Sequence, residues 1–153
     1  MEHLVYCDQK ANVLSNLLNG SKTKIIRGAA GRKLPYGRVN IGEVLYFVEN
    51  DGTQVIKAKG IVKSVYNSPP MTQDESIAFI KSEQKGLNLS VDQQKRWYGK
   101  KYVCIIEVEQ VMLLDNVLIY DRKDNMDDWM IVYTIEDILV GSNKIYQNIK
   151  IND

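Results

Sequence analysis

Residues 19–38 read NGSKTKIIRGAAGRKLPYGR. The stretch carries Lys22, Lys24, Arg27, Arg32, Lys33 and Arg38, and no Asp or Glu occurs anywhere between Asp8 and Glu43. Glycines at 20, 28, 31 and 37 let the backbone turn and approach a ligand closely. Cations beside exposed backbone N–H groups suit a phosphate or another anion. The competing reading is a solvated basic loop. Within the stretch, Thr23 to Arg27 is rich in β-branched residues and reads as a strand, with Lys22 at its entrance. Lys24 and Ile26 then share one face, and Ile25 and Arg27 the other.

Working outward, the chain before this stretch predicts a short strand, His3 to Cys7, and a helix capped by Asp8. Ala11, Val13, Leu14, Leu17 and Leu18 fall on one face of that helix, and Asn19-Gly20 ends it. After the stretch, Gly28 to Arg38 is irregular, with Pro35 biasing Leu34 away from helix. Strands follow at Val44–Val48 and about Gln54–Tyr66, joined by the turn Asn50-Asp51-Gly52, the second bent or bulged at Gly60. Asn67-Ser68-Pro69-Pro70 stops it. Thr72 with Glu75 has capping-box spacing and starts a helix running towards Gly86. A second helix opens at Ser90 and ends near Gly99. Tyr102 to Val108 is the strongest strand, Val111 to Leu118 a weaker separate one, and Trp129 to Tyr133 another. Ile135 to Leu139 is a helical turn or a strand extension. The tail from about residue 141 has no assigned place.

Short strands with a few helices, and no regular βαβ alternation, predict an α+β fold with a small, partly closed barrel. A chain of 153 residues with 44% hydrophobic and 25% charged residues fits one domain over residues 1–153. The net charge is only +1, so any attraction for a polyanion must be local. Basic residues dominate the first third, while Asp121, Asp124, Asp127, Asp128, Glu136 and Asp137 gather near the end. Cys7 and Cys104 read as reduced core residues of a cytoplasmic protein. A single histidine, His3, excludes a multi-histidine zinc site, and neither a metal nor a cofactor is expected. No apolar run reaches membrane-spanning length, and the N-terminus lacks a signal-peptide pattern. The oligomeric state is not legible.

Residues 20–27, G-S-K-T-K-I-I-R, resemble the signature of the ASCH family: Gly20, Lys22 and Arg27 match, and Ile25 stands where the family usually has Glu. Gly42-Glu43-Val44-Leu45 resembles the family's G-E/D-x-L strand start, and the order of elements is similar over roughly residues 3–110. The resemblance implies a small PUA-like mixed β-barrel with flanking helices and a cleft lined by the signature. It implies binding of RNA or nucleotides. Some bacterial relatives remove the acetyl group from acetylcytidine, using a Lys of the signature, a Thr three residues later and a Glu in the helical insertion. Here Lys22 keeps the first place, Ile25 takes the Thr place, and Glu83 and Lys85 lie near the third. Isoleucine supplies neither a nucleophile nor an oxyanion stabiliser.

The candidate ligand-binding residues are therefore Lys22, Lys24, Arg27, Arg32, Lys33, Tyr36 and Arg38. Arg27 is open to a second role, an ion pair with the acidic C-terminal region or, if partly buried, with Glu43. Tyr36 is open to base stacking or to loop packing. Trp97 and Tyr98, flanked by Lys95, Arg96, Lys100 and Lys101, are candidate stacking residues for a single strand; the competing role for Trp97 is to anchor its helix. Trp129, after two aspartates, suits the core or a lid. The leading expectation is a binding module for RNA, a nucleotide or a modified nucleobase. The alternatives are a nucleoside amidohydrolase with Lys22 as its candidate catalytic group, and a protein-interaction adaptor whose basic loop meets an acidic partner.

Overall fold

Strand β1 (Glu2–Cys7) is the first element of the chain, yet it lies inside the sheet. Its neighbours are β3 (Val44–Glu49), which it pairs in parallel, and β6 (Trp129–Val132), which it pairs antiparallel. With β2 (Lys24–Ala29), β4 (Val55–Asn67) and β5 (Tyr102–Ile119) they form one six-stranded mixed sheet in the order β2-β5-β4-β3-β1-β6. The sheet curls into a half-barrel. In this computed structural model the described residues are 1–122, 125 and 127–142; the expected tail from about 141 falls mostly outside them.

The alternation of β2 decides the packing on both sides. Ile25 enters the cluster inside the curl, with Val5, Leu14, Leu17, Phe47 and Ile106. Ile26 faces the other way, onto Ile80, Leu87, Trp97 and Val103. This outer layer is built by α2 (Gln73–Ser82), α3 (Gln84–Leu87) and α4 (Val91–Trp97). Thr72 and Ser90 each form a complete capping box, so both helix starts are fixed by local sequence. The inner helix α1 spans Val13–Asn19, and Gly20 ends it at φ +82°.

Two expectations about these elements are corrected, and a third holds. Asp8 does not cap α1: its carboxylate accepts the Lys10 N–H at 3.0 Å, and Asn12, with no side-chain cap bond, precedes the first helical residue. A turn over residues 8–12 intervenes, so the helix starts too late for Asp8 to reach it. Tyr102–Val108 and Val111–Leu118 are one continuous strand, because Gln110 at φ +52° is absorbed as an irregularity while pairing with β4 continues on both sides. The expected irregularity at Gly60 is present, where a Cβ would meet Val111 Cγ2 at 3.1 Å and Phe47 Cε2 at 3.3 Å.

Glu43, offered above as a partner for Arg27, serves His3 instead. His3 is fully buried; its Nδ1 accepts the Trp129 indole N–H at 3.0 Å, which leaves Nε2 to donate to Glu43 Oε1 at 2.9 Å. Burial holds the imidazole below its ordinary pKa despite that carboxylate. This relay ties the first strand, the turn before β3 and the last strand together, and it fixes Trp129 as a core residue. Cys7 and Cys104 are buried free thiols, each pushed by burial up to about 12. No helix among the described residues is long and apolar enough to cross a membrane, and among them no group of His, Cys, Asp and Glu suits a metal ion.

Candidate ligand-binding cleft

The curl of the sheet leaves a seam. Strand β2 is one edge and β6 the other, and between β2 and β1 there is no ladder of backbone hydrogen bonds. Arg27 crosses this seam. One guanidinium nitrogen donates to its neighbour's carbonyl, Ile26 O, at 2.9 Å, and the other donates to Tyr6 O on β1 at 2.7 Å. Its Nε lies 3.3 Å from Asp128 Oδ2, and the group sits 5.5 Å from the centre of the Trp129 ring. The side chain is only 15% exposed, and burial lowers its pKa while Asp128 opposes the shift. Of the two roles open to Arg27, the ion pair with the acidic C-terminal region is thus made, through Asp128.

Two recesses adjoin at this seam. The larger, about 390 Å³, is bounded by β1 residues Val5, Tyr6 and Cys7, by Lys22, Ile25 and Arg27, and by the α4 residues Gln93, Arg96 and Trp97. Its cations, Lys22, Arg27, Arg96 and Arg122, are matched by four carboxylates, Asp8, Glu49, Asp127 and Asp128. The smaller, about 160 Å³, is lined by Arg27, Gly28, Lys33, Leu34, Arg96, Trp97, Lys100 and Asp128. Arg27, Arg96, Trp97 and Asp128 are common to both. The Arg96 guanidinium, 59% exposed, rests 4.4 Å from the centre of the Trp97 ring and 3.5 Å from Asp128 Oδ2, so one carboxylate spaces two guanidinium groups at the junction.

Lys22 is 3% exposed and stands in the wall of the larger recess. Its backbone N–H bonds to Asn16 O at 3.0 Å, and its ammonium donates to the Leu87 carbonyl. Burial first, and Arg27 second, push its pKa down to about 8. Tyr6 contributes a half-buried phenol whose pKa is raised, chiefly by burial, with the Arg122 guanidinium 5.5 Å from its ring centre.

The other sequence-derived residues are distributed as follows. Lys24 projects from the opposite face of β2 to Glu83 Oε2 at 2.6 Å, its stem packed over Gly86, so neither Lys24 nor Glu83 lines a recess. Lys33 lines the smaller recess. Arg32 lies 5.7 Å from the Tyr102 ring centre, at the rim of the same loop. The Tyr36 hydroxyl donates to the Ser68 carbonyl and its ring meets Tyr102 edge-on at 5.6 Å, which is loop packing. Arg38 is half-buried on the turn after Pro35 and lines neither recess. Trp97 is 6% exposed: it anchors α4 and shows only a margin to the cleft. Tyr98 faces Lys81, away from the cleft. The lining residues Tyr6, Arg122, Asp127 and Asp128 are outside the sequence-derived set. The only hint of them was the suggested pairing of Arg27 with the acidic region.

These features define an α+β half-barrel with a charged cleft along its open seam. No protein-family profile and no curated protein matches the sequence. Solved structures do match. The chain is similar to an ASCH protein from Zymomonas mobilis, seen as a tyrosine-to-phenylalanine variant, with a TM-score of 0.64, 10% identity, and coverage of 88% of this chain and 92% of that one. A serine-to-alanine variant of that protein gives a TM-score of 0.64 at 9% identity, over 88% and 90% of the two chains. A further ASCH structure from Zymomonas mobilis gives 0.55 at 10% identity, over 73% of this chain and 69% of that one. At such identities the likeness is one of fold, and the fold of this chain is ASCH-like.

Proposed function

We propose that the protein binds RNA or a nucleotide in the seam cleft, with the nucleobase side of the ligand in the larger recess. The observation that carries this reading is the volume and lining of that recess. About 390 Å³ is within the range of small-molecule sites, and the walls combine apolar surface from Val5, Ile25 and Trp97 with four cations and four carboxylates. Equal numbers of cations and carboxylates line it, which suits a neutral, hydrogen-bonding heterocycle better than a bare anion. The ASCH-like fold supports the same reading by analogy only.

The test is a titration of single-stranded RNA and nucleotides at several salt concentrations. For RNA, log affinity should fall against log salt with a slope of about −0.7 for each phosphate neutralised. Removing Arg32 and Lys33 together should flatten that slope and weaken all sequences alike, whereas Lys22 substitutions should change which ligand is preferred. If RNA and nucleotides bind no better than an inert polyanion, and the variants match wild type, the reading fails and an acidic protein partner becomes the better account of the basic loop.

Amide hydrolysis on a modified nucleoside is the second reading, favoured by one observation: the ammonium of Lys22 is desolvated at the cleft wall, with its pKa near 8. Against it, the ammonium is engaged by Leu87 O, Ile25 is buried in the core, and Glu83 is held on the far face by Lys24. Acetylcytidine is therefore expected to show no efficient turnover. Release of acetate that disappears in Lys22→Ala would reverse this order of preference.

A further inference from the structure

The two recesses differ in charge although they share a wall. The larger is balanced. The smaller has Arg27, Lys33, Arg96 and Lys100 against Asp128 alone. Asp128 lies near both guanidinium groups, at 3.3 Å and 3.5 Å, but offsets only one of the four positive charges, so a net charge of +3 remains, to which both lysines contribute in full. Among the described residues neither Lys33 nor Lys100 has a carboxylate partner. Two guanidinium forks and two ammonium groups around one small recess match the several oxygens of a phosphate better than a single carboxylate.

The recess is also shaped for this. Gly28 is one of its walls, and a Cβ there would lie 3.0 Å from Lys100 Cβ and 3.1 Å from its Cγ. Glycine therefore lets the Lys100 stem lie directly across β2. The preceding Gly99, at φ +90°, turns the chain out of α4 to deliver Lys100 to that place. Lys33, on the acid-free loop, lines the same recess. A ligand held in the larger recess has only Arg27, Arg96, Trp97 and Asp128 to pass before it meets these lysines.

We infer that the smaller recess is a phosphate subsite, and that the preferred ligand is a nucleotide whose phosphate sits among Arg27, Lys33, Arg96 and Lys100 while its nucleoside portion occupies the larger recess. This rests on the nucleotide reading above and sharpens it: the unphosphorylated nucleoside is the poorer ligand.

The experiment compares the four common ribonucleosides, their 5′- and 3′-monophosphates, and inorganic phosphate and pyrophosphate, by calorimetry or NMR titration at low and moderate salt. At least one monophosphate should bind about tenfold or more tightly than its nucleoside, and the advantage should shrink with salt. In the variant Lys33→Ala/Lys100→Ala the ratio of the two affinities should fall towards one. Gly28→Ala, which keeps every charge but displaces Lys100, should lower the ratio as well. If nucleosides and monophosphates bind alike, or if the ratio survives the double substitution, the subsite is refuted while the nucleotide reading stands. If pyrophosphate binds through the two lysines but no nucleoside or nucleotide does better, the anion subsite stands and the nucleotide reading falls. If none of these ligands binds, both fall.

Discussion

Replacing Arg27 with leucine is expected to destabilise the protein by about 2–4 kcal/mol, the range for leaving buried polar groups without their charged partner. Two carbonyls, Ile26 O and Tyr6 O, lose their donors. Among the described residues, Asp128 keeps as ion-pair partner only the exposed Arg96. The ring of Trp129 loses the cation lying against it. The more telling variant is Arg27→Lys, which preserves the charge. A single ammonium cannot bridge two carbonyls and a carboxylate in the directions the planar fork reaches, so lysine should recover less than half of the loss. Urea unfolding of the three proteins measures this directly. A lysine variant as stable as wild type would show that only charge matters at the seam. Ligand affinity should drop in both variants, since Arg27 lines both recesses.

The second large effect is a pH dependence. In the unfolded chain Lys22 titrates near 10.5, but in the folded protein near 8. Between these values the unfolded chain holds the extra proton, so this group's contribution to stability rises with pH across the window and is complete above it. Cys7 and Cys104 act in the opposite sense: raised from 9.0 to about 12, they keep protons in the fold that the unfolded chain gives up, and stability falls above pH 9. Wild type alone therefore shows a blurred curve. The difference between Lys22→Met and wild type isolates the lysine. The variant's relative stability should be greatest at pH 7 and should shrink by about 2–3 kcal/mol by pH 10, at about 1.36 kcal/mol per pH unit. A difference that stays flat across this range would mean that Lys22 is solvated like a surface lysine.

Much of the fold is legible locally. The β-branched run around Ile25 and Ile26, the capping boxes at Thr72 and Ser90, and the stop at Gly20 each follow from residues within a few positions. Lys22 and Arg27 stand out for equally local reasons: they lie in a basic stretch free of acids, and with Gly20 they match the ASCH signature. What escaped is non-local. Tyr6 and Asp128 reach the cleft only because β1 lies between β3 and β6, and no local pattern encodes that order. In the sequence Asp127-Asp128 is only part of an acidic region near the end, whereas in the fold Asp128 spaces the two guanidinium groups. Tyr36 looked available for stacking because its loop is basic; its packing on Tyr102 and its bond to Ser68 depend on strands far along the chain. From sequence β5 divides after Val108, and it is pairing with β4 that carries the ladder past Gln110.

The inward position of β1 has a consequence for the order in which the protein is made. Of these six strands β1 is made first, and it cannot complete its pairing until β6 is available, more than 120 residues later. Arg122, Asp127 and Asp128 arrive with that last strand, so every partial chain lacks one wall of the cleft. Competence to hold a ligand thus begins only when synthesis has passed Val132 and β1 and β6 have met. Any molecule that occupies the cleft draws the docked state forward by RT ln(1 + [L]/Kd), and so acts as a selective seal on finished copies.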